Sequence, residues 1–172
     1  MTCIVGIASE GKVCIGGDRG ISNESVILPL SRPKVYKRDK WIFGYSGSVG
    51  TGQLIEFVNL PEVGFKDPYA IIRIELVPII RDAIESFGSS DADNAADFLI
   101  GYDGRLFELS TEDWGVLEIE ESSIGTGSII ALGSLYTTRY MDMNIEERVT
   151  LALDAAIELS PGCAAPVDIL WV

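Results

Sequence analysis

No histidine occurs anywhere in the 172 residues. That absence excludes Ser-His-Asp and Cys-His nucleophile pairs, HExxH zinc sites and imidazole acid-base catalysis. An enzyme built on this chain must find its base elsewhere. Cysteine is scarce: Cys3, Cys14 and Cys163 are odd in number and show no CxxC spacing. This fits a reducing compartment and predicts thiols packed as small apolar groups. Positive charge is also short, with 13 Lys and Arg against 26 Asp and Glu and a net charge of -13, so neither nucleic acid nor an anionic membrane is expected as a partner. The acidic residues are spread along the chain and read as a solvated surface. Every long apolar stretch meets a charge before membrane-spanning length, and no basic n-region with an apolar core opens the chain, which predicts a soluble, cytoplasmic protein. There is no Pro- or Gly-rich linker, internal repeat or low-complexity tract, and with 47% hydrophobic residues the chain is expected to form a single domain over 1–172.

What is present alternates between two periodicities. "CIVGIAS" and "VCIGGD" are β-branched runs around "EGK" and read as a hairpin buried on both faces; "KVYKR" and "WIFGYSG" around "DK" read as a second. After "SGSVGTG", Leu54, Ile55, Phe57 and Val58 suggest a short helix ending before Pro61, more apolar than a one-faced surface helix needs, and so a candidate subunit contact. Asp67 with Pro68 marks the start of a longer helix running toward Gly88, which Pro78 should kink or divide. "DADNA" reads as a polar connector. "DFLIGY" and "RLFELS" around Asp103-Gly104 form the clearest hairpin, and "WGVLEIE" suggests another strand. An apolar segment, 129–140, reads as helical. Asn144 and Glu147 form a capping box for a helix with Ile145, Val149, Leu153 and Ala156 on one face, and "VDILWV" closes as a strand. This order predicts an α+β fold, a four-layer αββα sandwich of two stacked antiparallel sheets flanked by helix pairs.

With imidazole unavailable, a hydroxyl can still be activated by the free α-amino group of an N-terminal residue, whose pKa near 8 suits a general base. Thr2 becomes such a residue if Met1 is removed, an ordinary event before a small side chain; many chains, equally, expose an N-terminal threonine that does nothing. Asp18 ends the second strand, Lys34 begins the third and Gly47 ends the fourth, so hairpin pairing can gather all three near Thr2. A surface ion pair between Asp18 and Lys34 is the plainer reading, worth under about 1 kcal/mol.

Here the sequence resembles the proteasome β-subunit and HslV peptidase family, compact members above all. The family has an N-terminal Thr, "GD" or "AD" ending the second strand sixteen residues later, and a Lys thirty-two residues after the Thr, as Asp18 and Lys34 lie from Thr2. "SGS" at 46–48 and "GTGS" at 125–128 also match, and the likeness extends over essentially the whole chain. The resemblance implies the N-terminal nucleophile hydrolase fold, with Thr2 as nucleophile and, through its amine, base. It implies that Lys34 lowers the pKa of the Thr2 site and that Asp18 holds Lys34. Gly47 would supply the oxyanion amide, Thr126 would position the amine, and Ser128 and Ser160 would match two further family serines. It also implies a peptide or protein substrate, a homo-oligomeric ring and a separate unfolding ATPase, since no Walker A motif is present. Two departures stand out: one residue is missing between Lys34 and Gly47, and Ile157 replaces a family aspartate. No cofactor or metal is expected. "GSVGTGQ" and "GTGS" lack the Lys-Ser/Thr of a phosphate loop. Asp91 and Asp93 could bind a cation or act as glycosidase carboxylates, yet read better as a solvated connector. The competing function is a catalytically silent ring or scaffold subunit of the same fold.

Overall fold

The computed structural model describes residues 1–22, 26–62, 66–87 and 94–172. The first hairpin joins β1 (Ile4–Ser9) to β2 (Lys12–Asp18). Its two-residue turn, Glu10-Gly11, has φ of 52° and 74°, the positive pair that matches strand twist. That short turn sets the register, Ile4 opposite Gly17 and Ser9 opposite Lys12. A ribbon of β3 (Gly20–Ser22) and β4 (Ile27–Pro29) follows, not anticipated from the sequence. β5 (Val35–Arg38) and β6 (Trp41–Gly47) form the second expected hairpin, and β7 (Ala96–Tyr102) and β8 (Arg105–Ser110) the third. β9 (Val116–Ile119), β10 (Glu121–Ile124) and β11 (Val167–Trp171) complete the strands. Among the described residues the pairing is antiparallel, in the orders β10-β1-β2-β11, β3-β4 and β5-β6-β7-β8-β9.

Helices α1 (Val49–Leu54) and α2 (Pro68–Ala70) come first, the second capped by the Asp67 carboxylate on the Ala70 amide. A π-helical stretch, Ile71–Leu76, then leads into α3 (Val77–Ser86). Pro78 sits in the first turn of α3 and has no N–H to donate, and the wider turn just before it lets the Val77 amide reach Ile72 instead. The expected division at Pro78 is therefore a local widening. α4 (Ser128–Thr138) and α5 (Ile145–Leu159) follow, with the capping box of Asn144 and Glu147 closed in both directions. Of the expected connector, residues 91–93 lie outside the described residues, and Asp91 and Asp93 with them.

Strand alternation divides the apolar side chains among three clusters. Trp41, Phe43 and Tyr45 of β6 and Phe98, Ile100 and Tyr102 of β7 pack with Ile72 and Leu76 of the π-helical stretch and Ile80 of α3. Cys3, Val5, Cys14, Leu135, Val149 and Leu153 join the β1-β2 sheet to α4 and α5. The intervening residues, Ile4, Val13 and Ile15 from one sheet and Val35, Ile42, Leu99 and Leu106 from the other, form the third. The fold is thus mixed α and β, with its antiparallel sheets meeting through Ile4. The helix expected through Leu54, Ile55, Phe57 and Val58 instead occupies the glycine-rich stretch, capped at its start by Ser48, and ends at Leu54, after which the chain turns; Ile55 is buried, Leu54 and Val58 pack on the chain's own core, and Phe57 stays exposed. Further apolar surface lies on α4, where Ile129 and Tyr136 are 83% and 69% exposed, and just beyond it at Tyr140.

Candidate active site

The β1-β2 register places the end of β2 beside the start of β1. The Asp18 amide donates to the Cys3 carbonyl at 3.1 Å, and the Cys3 amide returns a bond to Asp18 Oδ1 at 2.9 Å. Asp18 is fully buried. A buried carboxylate needs several donors, and it has them: Lys34 Nζ also donates to Oδ1 at 2.9 Å, while the Gly20 and Ala164 amides donate to Oδ2 at 2.8 and 3.0 Å. Lys34 lies just before β5, and its carbonyl accepts from the Tyr45 amide, which extends the β5-β6 ladder and fixes the side chain's origin. Its ammonium uses three donors, on Asp18, on the Gly20 carbonyl and, at 3.4 Å, on the Met1 carbonyl.

That Met1 oxygen is also the acceptor for the Thr2 hydroxyl, at 2.6 Å. One oxygen atom therefore separates the Thr2 Oγ1 from the Lys34 ammonium. Thr126 grips the Thr2 backbone from the other side: its hydroxyl accepts from the Thr2 amide at 3.2 Å and donates to the Thr2 carbonyl at 3.3 Å, which also takes the Gly127 amide. Gly125 makes this approach possible. Its φ is 94°, and a Cβ there would stand 2.3 Å from the Thr2 carbonyl oxygen.

Thr2 itself is buried, with Met1 over it. Met1, Ser46, Gly47, Gly125, Thr126 and Ser128 line an open cleft of about 480 Å³ whose wall also carries Asp97 and Glu108. Gly47 is exposed on this cleft at the end of β6 with a φ of 99°. A Cβ there would meet the Ala95 carbonyl at 2.5 Å. Ser128 opens α4 on the same rim.

Ser160 is placed differently. It caps α5, buried, and its hydroxyl interacts with the thiol of Cys163 and accepts weakly from the Gly162 amide. Ile157 packs in the apolar cluster under α4 and α5. The structure therefore brings Thr2, Asp18, Lys34 and Thr126 into one hydrogen-bonded group, sets Gly47 and Ser128 on its cleft, and keeps Ser160 a step behind. Sequence reasoning missed Gly20, Gly162 and Ala164. The first and last act through backbone groups, and Gly162 acts by leaving room, since a Cβ there would meet Met1 Cβ at 2.6 Å and Thr126 Oγ1 at 2.9 Å.

Structural comparison places this geometry. BPH from Thiobacillus denitrificans superposes with a TM-score of 0.84 at 20% identity, covering 99% of this chain and 97% of that one. The same protein in complex with epoxomicin gives the same score and identity, covering 99% and 98%. HslV from Trypanosoma brucei gives 0.71 at 17% identity, covering 99% and 98%. Anbu, an ancestral beta-subunit, from Yersinia bercovieri gives 0.74 at 13% identity, covering 100% and 81%. The chain has the proteasome-type fold. No family model matches the sequence, and at these identities the likeness is one of fold. The proteasome-type fold accounts for the whole described chain, the α4 and α5 pair and the closing strand included. Among the described residues no helix is long and apolar enough to cross a membrane.

Proposed function

We propose that this chain is a threonine peptidase that hydrolyses peptide bonds through an acyl-enzyme on Thr2. The observation that carries the reading is the Met1 carbonyl oxygen held between Thr2 Oγ1 and Lys34 Nζ. Removal of Met1 frees the Thr2 amine next to Thr126, and frees one Lys34 donor next to the Thr2 hydroxyl. The amine then takes the hydroxyl proton as Oγ1 attacks the scissile carbonyl, the Lys34 cation favours the developing alkoxide, and the Gly47 amide receives the oxyanion. The ammonium returns the proton to the leaving amine, which departs and leaves an ester on Thr2. Water, deprotonated by the same amine, cleaves that ester. Asp18 holds Lys34 in place, Thr126 orients the amine, and Ser128 shapes the rim; Ser160 supports the group from behind through Cys163.

The wider reading follows from the same residues. The chain is one domain over 1–172, its three apolar clusters arranged as a four-layer αββα sandwich. It works in the cytoplasm on peptide or protein substrates as a homo-oligomeric ring, with the exposed Ile129, Tyr136 and Tyr140 available to a second copy and a separate ATPase supplying unfolded chains. Intact mass tests the first step, since the mature chain must lack Met1. Epoxomicin, the ligand in the BPH complex, should then add to Thr2, and Thr2→Ala should abolish both the adduct and hydrolysis of fluorogenic peptides. A chain that keeps Met1 and takes no epoxomicin is the silent ring subunit instead.

A further inference from the structure

We propose that Cys3 and Cys163 are a redox-modification site, closing into a reversible disulfide that switches the Thr2 centre off; its effect on turnover rests on the peptidase reading above. The two side chains meet over Gly127. A Cβ built on Gly127 would lie 2.7 Å from Cys163 Sγ and 2.8 Å from Cys3 Cβ, so both cysteines close on the same small gap. Both are buried in the apolar cluster, yet each has a polar neighbour: Ser123 Oγ lies 3.6 Å from Cys3 Sγ, and the Ser160 hydroxyl interacts with Cys163. Two serines beside two thiols is an unusual filling for a sheet-helix interface.

The pair is asymmetric, as an oxidisable pair requires. Its neighbour Cys3 brings Cys163 down to about 7, helped by Ser160 and Lys34 against burial and the Asp18 charge. Cys3 is pushed up, first by Cys163 and then by burial. Cys14 sits in the same cluster and burial pushes it up to about 12, with Glu146 adding to the shift. Cys163 is therefore the thiolate, Cys3 the resolving thiol, and Cys14 an internal control. Access depends on Met1. The Met1 side chain rests on Gly162, the residue before Cys163, so the removal of Met1 that makes Thr2 terminal also uncovers the route to this thiol.

The oxidant is hydrogen peroxide. Cys163 thiolate attacks a peroxide oxygen, the S–O bond forming as the O–O bond breaks, and hydroxide leaves to be protonated to water. The Cys3 sulfur then attacks the Cys163 sulfur, the S–S bond forming as the S–O bond breaks, and the oxygen leaves as water with the Cys3 proton. Two electrons pass from the cysteines to peroxide, and a dithiol reverses the change by becoming a disulfide itself.

The consequence for Thr2 runs through Asp18. The Cys3 amide and the Ala164 amide, one from each side of the pair, hold the two oxygens of that carboxylate. Joining the two sulfurs ties together the two segments that hold Asp18, and Thr2 is adjacent to Cys3. A displacement of about 1 Å in such a site costs on the order of 100-fold in rate.

The experiment treats the mature protein with hydrogen peroxide, maps disulfides by mass spectrometry and follows peptide turnover before and after dithiothreitol. The expected result is a Cys3–Cys163 cross-linked peptide lighter by two hydrogens, a loss of turnover of 10-fold or more, and recovery with the dithiol. Cys163→Ser should resist peroxide, and Cys14→Ala should stay sensitive. Three free thiols after peroxide, or a cross-link that leaves turnover unchanged, overturns the proposal. The cross-link is scored by mass alone, so a reduced protein with no turnover would count against the peptidase reading and not against the disulfide.

Discussion

Lys34→Met is the most informative single change in the site. It keeps the length and much of the volume of the side chain and deletes the charge, so the cavity contribution is small and the electrostatic one dominates. Asp18 is left fully buried but still holds the amides of Cys3, Gly20 and Ala164. Breaking a buried pair costs about 3–5 kcal/mol, and those three amides put the loss at the lower end, about 3 kcal/mol. A domain with about 5–15 kcal/mol of stability survives that and remains folded. Asp18→Asn fails differently. Oδ1 accepts from two donors and so does Oδ2, so the amide nitrogen must face a pair of N–H groups whichever way it turns. Two donors then lose their acceptor at about 1–3 kcal/mol each. In the double mutant Lys34 no longer competes for Oδ1, and the nitrogen can face the site with a single donor. The double mutant should therefore lose less than the sum of the singles by about 1–3 kcal/mol. Urea unfolding reads the stabilities, and peptide turnover should fall to background in all three. Single-mutant losses that add to within about 0.5 kcal/mol would show that the two side chains do not act through one shared carboxylate, and the argument for a coupled site would fail.

Gly47→Ala should lower kcat by about 100- to 1,000-fold through loss of the oxyanion amide, because its Cβ would collide with the Ala95 carbonyl; stopped-assay kinetics with unchanged KM would support this, and a fully active mutant would remove Gly47 from the mechanism. The kcat/KM of the mature enzyme should climb with rising pH through about 7 to 8, as the Thr2 α-amine loses its proton, and a profile flat from pH 6 to 9 would exclude the amine as base. Asn144→Ala should cost about 1 kcal/mol by opening the capping box of α5, visible as a lower urea midpoint with turnover unaltered. Phe43→Ala, under the five-stranded sheet, should cost about 3–5 kcal/mol by the same measurement.

Lys34 was legible from its spacing to Thr2 in the family the chain resembles, and the place of Asp18 also from the first hairpin, because a short turn leaves little freedom in register. Once Glu10-Gly11 is the turn, residues equidistant from it must pair, and Asp18 comes back beside Cys3. Asn144 and Glu147 were legible for a similar reason, since a capping box is complete within four residues. The amides of Gly20 and Ala164 were not, because a backbone donor has no residue type to betray it. Ser160 was assigned by position in a pattern, and the end of α5 turned its hydroxyl toward Cys163. Composition cannot say which surface covers a side chain: of the apolar residues at the end of α1 and just after it, the chain's own core covers Ile55 and takes up Leu54 and Val58, and Phe57 alone is left outward. The same limit hid α4, whose helical spacing was plain and whose outward Ile129 and Tyr136 were not. β3 and β4, three residues each, are too short for alternation to register.

The four donors on Asp18 also bear on the order in which the chain folds. Cys3, Gly20 and Lys34 all lie within 16 residues of it, and a growing chain can gather them early. The Ala164 amide lies 146 residues away, on the segment that leads into β11, itself clamped to β2 and held by Arg19 on Asp168. Contacts so distant in sequence form late. Until they do, Oδ2 of the carboxylate keeps only the Gly20 amide and the floor beneath Thr2 is unfinished. Pairing of β11 with β2 is thus what completes the Asp18 cradle, and a ribosome-bound chain stopped short of it would carry Thr2 without that cradle.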